Sequence, residues 1–330
     1  MKTIDRAELC FSQLNSSCRK TMHPRSLSVL FYVILSSISV LTVALNLLVI
    51  ISISHFKQLH TPTNLLLFSL AVSDCFVGLL TVFQILVIDG CWYLGEQLCI
   101  LYYIFDYVVT NASIGTMVLI SVDRYVAICD PLYYPSKVTL KRVRTSVSLC
   151  WIFSLFCVFV LLKDNLGQPG SYNSCSGECV VLVYYVTGIV DILLSFIGPV
   201  IVIIALYLKV FMVVVTQARS MRSRIEAVAV QGSVTVTIKK SEIKAARVLG
   251  IVVVVFLACL LPYFCIGLTG DKTLLNASTA TVFITLFYFN SCVNPLVYAF
   301  FYPWFRRTIK LIVTLKILNS RSCKANLLIS

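Results

Sequence analysis

Seven apolar stretches, at about 27–54, 62–88, 98–129, 145–162, 180–215, 246–268 and 278–302, dominate this sequence. Each is long enough to cross about 30 Å of hydrocarbon. No water is available at that depth for backbone N–H and C=O groups, so each stretch must close its hydrogen bonds internally. The runs are too long and too continuous for barrel strands, which leaves an all-α bundle of seven transmembrane helices. Charged residues are only 12% of the chain and mean hydropathy is +0.93, far from the values of a soluble domain. The expected organisation is a polar N-terminus over 1–26, the bundle over 27–302, a short amphipathic helix over 303–315 and a tail over 316–330.

Lys and Arg set the expected orientation. With the N-terminus outside, 20 of the 27 fall on the cytoplasmic side and only Lys2, Arg6, Arg19, Lys20, Arg25, Lys163 and Lys272 remain outside. That asymmetry fits an N-out, C-in topology at the plasma membrane. The formal net charge of +13 therefore reports topology and attraction to anionic lipids rather than a nucleic-acid partner. Residues 1–26 are polar and contain Cys10 and Cys18, so no cleavable signal is expected and the first span itself must direct insertion. After Pro303, Phe305, Ile309 and Ile312 share a face beside Arg306, Arg307 and Lys310, the pattern of a helix lying on the inner leaflet.

Six of the fourteen cysteines, Cys10, Cys18, Cys91, Cys99, Cys175 and Cys179, lie outside or at the outer boundary, where bridges are expected. Six cysteines allow 15 pairings, and sequence alone does not choose among them. Joining Cys99 to Cys179 would staple the loop after the fourth span over the bundle. Cys175 and Cys179 have no His nearby, so a zinc site is not expected. Asn15 and Asn276 begin glycosylation sequons in outside segments. Asn111 begins a third, inside a span and out of reach of modification.

Charges within the spans are few, and a charge at mid-membrane costs at least ~2.5–3.5 kcal/mol, so such residues are usually functional. Asp106 lies seven residues past Cys99, about 10 Å down a helix. Asp191 lies about 11 residues into its span, at a similar expected depth of about 10–15 Å. Two carboxylates in one layer suit a flexible dication with an ammonium at each end. Tyr107, Tyr263, Phe264 and Tyr288 are placed to enclose cationic groups through their ring faces. Asp74 sits near mid-membrane in the second span and suggests a polar pocket holding sodium or water. Against this stand structural aspartates hydrogen-bonded between helices. An enzyme is not expected, because His23, His55 and His60 all lie at or beyond the membrane boundaries and no phosphate loop or metal-ligand spacing occurs. A cation transporter or channel is the rival class, since intramembrane acids also serve translocation, but no inverted repeat is evident.

The inner end of the third span reads Ser121-Val-Asp123-Arg124-Tyr125 and the seventh reads Asn290-Ser-Cys-Val-Asn294-Pro295-Leu-Val-Tyr298. With Asn46, Asp74, Trp151, Pro199 and Pro262, these resemble the rhodopsin-like G-protein-coupled receptors, over residues 27 to 315. His60-Thr-Pro-Thr-Asn64, Cys129-Asp-Pro-Leu-Tyr-Tyr-Pro135, and Tyr288-Phe-Asn-Ser291 continuing to Arg306 are similar to the trace amine-associated receptors.

The resemblance implies a receptor for biogenic amines, coupled to a heterotrimeric G protein of the stimulatory type. Asp106 matches the carboxylate that pairs with the ligand ammonium, and Asp191, where catecholamine receptors carry a serine, resembles the diamine-sensing olfactory members of fishes. The candidate ligand-binding set is Asp106, Asp191, Tyr107, Thr110, Ser195, Tyr263, Phe264 and Tyr288. Activation is expected to involve Asp123, Arg124, Tyr125, Asn294, Pro295 and Tyr298, with Glu242 as the resting partner of Arg124. No cofactor is implied beyond an allosteric sodium ion at Asp74, Ser113 and Asn290. The family's bridges correspond to Cys99–Cys179 and Cys18–Cys175. Leu260 departs from the tryptophan usual at its position, as Thr285 does from another, which alters the pocket floor. Tyr288 replaces the lysine that holds retinal in opsins, so a light sensor is excluded. The runner-up is a monoamine receptor that uses Asp106 alone.

Overall fold

The computed structural model describes residues 8–20, 25–227, 250–265, 277–301 and 303–318. It is nearly all helix: α1 (Arg25–His55), α2 (Pro62–Asp89), α3 (Glu96–Cys129), a short α4 (Tyr134–Lys137), α5 (Leu140–Gly167), α6 (Tyr185–Ile192), α7 (Gly198–Ala227), α8 (Gly250–Cys265), α9 (Ala277–Phe301) and α10 (Pro303–Val313). A π turn, Leu193–Ile197, joins α6 to α7. Among the described residues six helical stretches are long and apolar enough to cross a membrane, and α8 is a shorter apolar helix. Local signals set several ends. The Thr61 hydroxyl accepts from the Asn64 amide at the start of α2, Pro62 occupies its first turn, and Gly90 closes it at φ 72°.

α3 is the hub, packed against α2, α5 and α7, while α9 closes against α1 and α2. The shared core includes Leu66, Leu70, Met117, Ile203, Phe256, Leu260 and Tyr298. The outward faces are equally apolar: on α5, Leu149, Ile152, Phe153, Phe156 and Phe159 are all exposed. A helix apolar on its outside as well as its inside belongs in lipid rather than water. α10 turns away and docks under α1, where Phe305 and Thr308 are fully buried and Ser52 Oγ donates to Thr308 Oγ1 at 2.9 Å.

Two spans differ from the expected limits. Residues 180–184, read as the start of the fifth span, are not helical. Cys179 is tied to Cys99, and the Asn165 side chain clamps the backbone of Leu182, donating to its carbonyl at 2.7 Å and accepting from its amide at 2.8 Å. With its backbone bonds answered by a side chain, the run has no need to coil. The fourth span extends at both ends, to Leu140–Gly167, because Thr139 caps it and accepts from the Arg142 amide. The sixth, expected over 246–268, is described over Gly250–Cys265.

Candidate functional site

The cavity between α2, α3, α6, the π turn, α8 and α9 has a volume of about 230 Å³. Its walls carry Gln84, Val87, Tyr103, Asp106, Tyr107, Thr110, Asn111, Asp191, Ser195, Tyr263, Phe264, Ile284, Phe287 and Tyr288. All eight residues singled out as ligand-binding thus line one space. Tyr103, Asp106, Tyr107, Thr110 and Asn111 fall at spacings of three and four, so a single face of α3 forms one wall.

Asp106 is half-buried and accepts a hydrogen bond from the Tyr288 hydroxyl at 3.0 Å. Tyr288 touches Tyr102 at 3.3 Å, and Tyr102 donates to Gln84 Oε1. Asp106 is therefore held by a chain of polar groups from α9, α3 and α2. Asp191 differs: its carboxylate has no hydrogen-bond or ion-pair partner among the described residues, and its backbone carbonyl accepts from Ser195 Oγ at 2.6 Å. It lies six residues past the start of α6, less far into its helix than the sequence suggested.

The π turn aims this end of the site. Pro199 has no N–H to offer the carbonyl four residues back, and the Gly198 amide reaches five back, to Leu193. Any side chain at 198 would bring a Cβ within 3.1 Å of that same Leu193 oxygen. Aromatic rings pack beside it and onward to α9: Phe196, in the π turn, stacks on Phe264 with centroids 3.8 Å apart, Tyr263 meets Phe287 at 5.0 Å, and Phe287 meets Tyr288 edge-on at 5.4 Å. Ring faces around a pair of carboxylates favour organic cations.

Below lies a second space of about 20 Å³, lined among others by Thr110, Ser113, Leu260, Asn290 and Ser291. Thr110 lines both spaces. Asp74 is fully buried and accepts from Asn294 Nδ2 at 2.7 Å and from Ser113 Oγ at 3.5 Å. Asn290 shares the small space with Ser113 and leaves Oδ1 buried without a hydrogen-bond partner among the described residues.

At the far end of α3 the sequence pointed to Arg124 and Glu242. Glu242 lies outside the described residues. Arg124 pairs with Asp123, Nε to Oδ2 at 3.0 Å, and donates to Thr63 Oγ1 at 2.8 Å. Tyr134 on α4 donates to the other Asp123 oxygen at 2.8 Å. Burial, then the Asp123 charge, pushes the Tyr134 phenol above its usual range, which keeps it a donor. Tyr125 lies under the Lys209 ammonium, 5.8 Å from its ring centre. Pro295 falls inside α9, and Tyr298 is fully buried.

At the opposite end, three disulfides join Cys10 to Cys91, Cys18 to Cys175 and Cys99 to Cys179. The first pairing was not assigned from the sequence, although its two cysteines were among the six expected to bridge. Asn15 is exposed on the turn between Cys10 and Cys18, and Asn276 lies outside the described residues. Gln84, Tyr102 and Asn111 were missed. The spacing on α3 could have found Tyr102 and Asn111, whereas Gln84 has no sequence cue, since its place depends on how α2 packs against α3.

Residues 45–298 match the family model for the 7 transmembrane receptor (rhodopsin family). Trace amine-associated receptor 13c of Danio rerio is 39% identical, covering 98% of this chain and 97% of that receptor. Trace amine-associated receptor 7e of Mus musculus is 38% identical, covering 97% of this chain and 92% of the relative. Receptor 8a of Rattus norvegicus is also 38% identical, with 97% and 96% covered. The chain belongs to the trace amine-associated receptors of the rhodopsin family: it is a multi-pass membrane receptor of the amine-binding, G-protein-coupled class and not an enzyme.

Proposed function

We propose that this receptor detects diamines, through Asp106 and Asp191 acting as two ammonium sites in one cavity. The observation that carries this reading is Asp191: a carboxylate on the cavity wall with no partner from the protein. An unpaired acid at membrane depth is costly, and a ligand cation is the natural complement. Asp106, already oriented by Tyr288, takes the first ammonium. The second ammonium reaches Asp191 across an alkyl chain short enough for a space of about 230 Å³. Tyr107, Tyr263, Phe264 and Tyr288 enclose the charges, and Thr110 and Ser195 add hydroxyl oxygens.

The disulfide end, with exposed Asn15, faces outside at the plasma membrane, and the receptor serves olfactory detection. Occupancy of the cavity rearranges the helices and frees Arg124 from Asp123 to engage a stimulatory heterotrimeric G protein. Tyr125, Asn294, Pro295 and Tyr298 belong to the same inner machinery. The oxygens of Asp74 and Ser113, with the partnerless Oδ1 of Asn290, fit a hard monovalent cation such as sodium, which acts allosterically.

The test is cAMP in cells expressing the receptor, across diamines and matched monoamines, for wild type, Asp106→Ala and Asp191→Asn. Diamine responses should vanish in both variants, while any monoamine response survives Asp191→Asn. Undiminished diamine potency in Asp191→Asn would leave Asp106 as the only anchor.

A further inference from the structure

We propose that Asn111 completes the second ammonium site, its Oδ1 accepting an N–H that Asp191 leaves unmet. This inference rests on the two-carboxylate reading of the cavity.

Asn111 follows Tyr107 by four residues, so the two share a face of α3, and both line the cavity. The Tyr107 phenol lies within electrostatic reach of the Asp191 carboxylate. Asn111 sits one helical turn, about 6 Å, along α3 from Tyr107, on the helix that packs against the π turn and α7. The Asn111 amide is half-buried and has no hydrogen-bond partner for either its oxygen or its nitrogen among the described residues. Amides at membrane depth normally find a partner on a neighbouring helix. A free one on a cavity wall points to a ligand.

The chemistry of that flank selects the kind of ligand group. Ser195 spends its proton on the Asp191 backbone carbonyl at 2.6 Å, so toward the cavity its oxygen can only accept. Asp191 is an acceptor when ionised. With Asn111 Oδ1, this end offers acceptors from three side chains, matching the three N–H donors of a primary ammonium. A fully alkylated nitrogen has no N–H and would leave all three unmet.

The experiment uses the intact receptor at the cell surface, with surface density measured by antibody labelling. A series of unbranched diaminoalkanes of increasing length first fixes the most potent probe. Asn111→Leu should weaken that diamine about tenfold, as loss of one charge-assisted hydrogen bond warrants. It should leave the matched monoamine and the bis(trimethylammonium) analogue unchanged. Asn111→Asp, nearly isosteric, should raise diamine potency, and it decides the matter if the leucine variant fails to reach the surface. Equal losses for monoamine and diamine in Asn111→Leu, or a loss in Asn111→Asp, would mark a merely structural residue and overturn the proposal. Unchanged diamine potency in Asn111→Leu, with Asp191→Asn still inactive, would overturn it and leave the two-carboxylate reading standing. Undiminished potency in Asp191→Asn would instead sink both.

Discussion

Gly115→Ala tests the packing that holds the wall of the site in place. Gly115 lies on α3 one turn past the cavity, where α5 approaches, and a Cβ built there would fall 2.3 Å from Cys150 Sγ and 4.0 Å from Cys150 Cβ. Ordinary non-bonded contact is about 3.5–4.0 Å, so the sulfur is too close by roughly 1.2–1.7 Å while the carbon behind it already fits. The thiol must rotate away, which breaks its contact with the Ala112 carbonyl at 3.9 Å, or the two helices must part. Overpacking of this kind costs about 1–3 kcal/mol. At about 2–4 °C per kcal/mol, the thermal midpoint of the purified receptor should fall by roughly 2–12 °C. Adding Cys150→Ala removes the offending atom and leaves two methyl groups near 4.0 Å, so the double variant should recover most of the loss. An unchanged midpoint in Gly115→Ala, or no recovery in the double variant, would refute the argument that sulfur sets this helix spacing.

Tyr288→Phe removes the donor 3.0 Å from Asp106, a hydrogen bond to a charged group worth about 1.5–3 kcal/mol. Agonist potency in the cAMP assay should drop at least about tenfold with the maximal response kept, and unchanged potency would show that Asp106 needs no orienting partner. Replacing Cys10 and Cys91 together by Ser opens a ring that the other two bridges have already shortened to roughly twenty residues, so the expected loss is about 3 kcal/mol rather than the larger value for an isolated bridge of that span. A thermal midpoint equal to wild type would mean that the other two bridges already fix this end.

Hydropathy was enough to place the helices, because lipid leaves a long apolar run no other way to satisfy its backbone. It misled at residues 180–184, where Val180, Val181, Leu182 and Val183 read as a span but form an irregular segment ahead of α6. What decides their shape is Asn165, a residue at the end of another helix, and a sequence shows no such pairing. The eight cavity residues were legible because charge, aromatic character and the resemblance to amine receptors converge on them. Asn111 was passed over as an idle sequon, although its spacing from Tyr107 placed it on the cavity wall. Gln84 depends on the approach of α2 to α3, a fact of packing alone. The Cys10–Cys91 bridge joins the two outer cysteines left over once the family's two bridges are made, although no motif marked them as a pair.

The π turn gives the second carboxylate an unusual dependence. One additional residue in a helical turn rotates everything beyond it by about 100°, the angle of a single α-helical step. Asp191 stands just beyond that insertion, seen from Pro199, and its aim into the cavity is set there rather than by the length or hydrophobicity of the span. Membrane insertion would be indifferent to whether Leu193–Ile197 coils as five residues of π or tightens to α. On the two-carboxylate reading ligand recognition would not, since the tighter coil turns Asp191 away toward its neighbours. The chemical identity of what the receptor senses is thus written partly in backbone pitch, in a stretch whose side chains tell only of lipid.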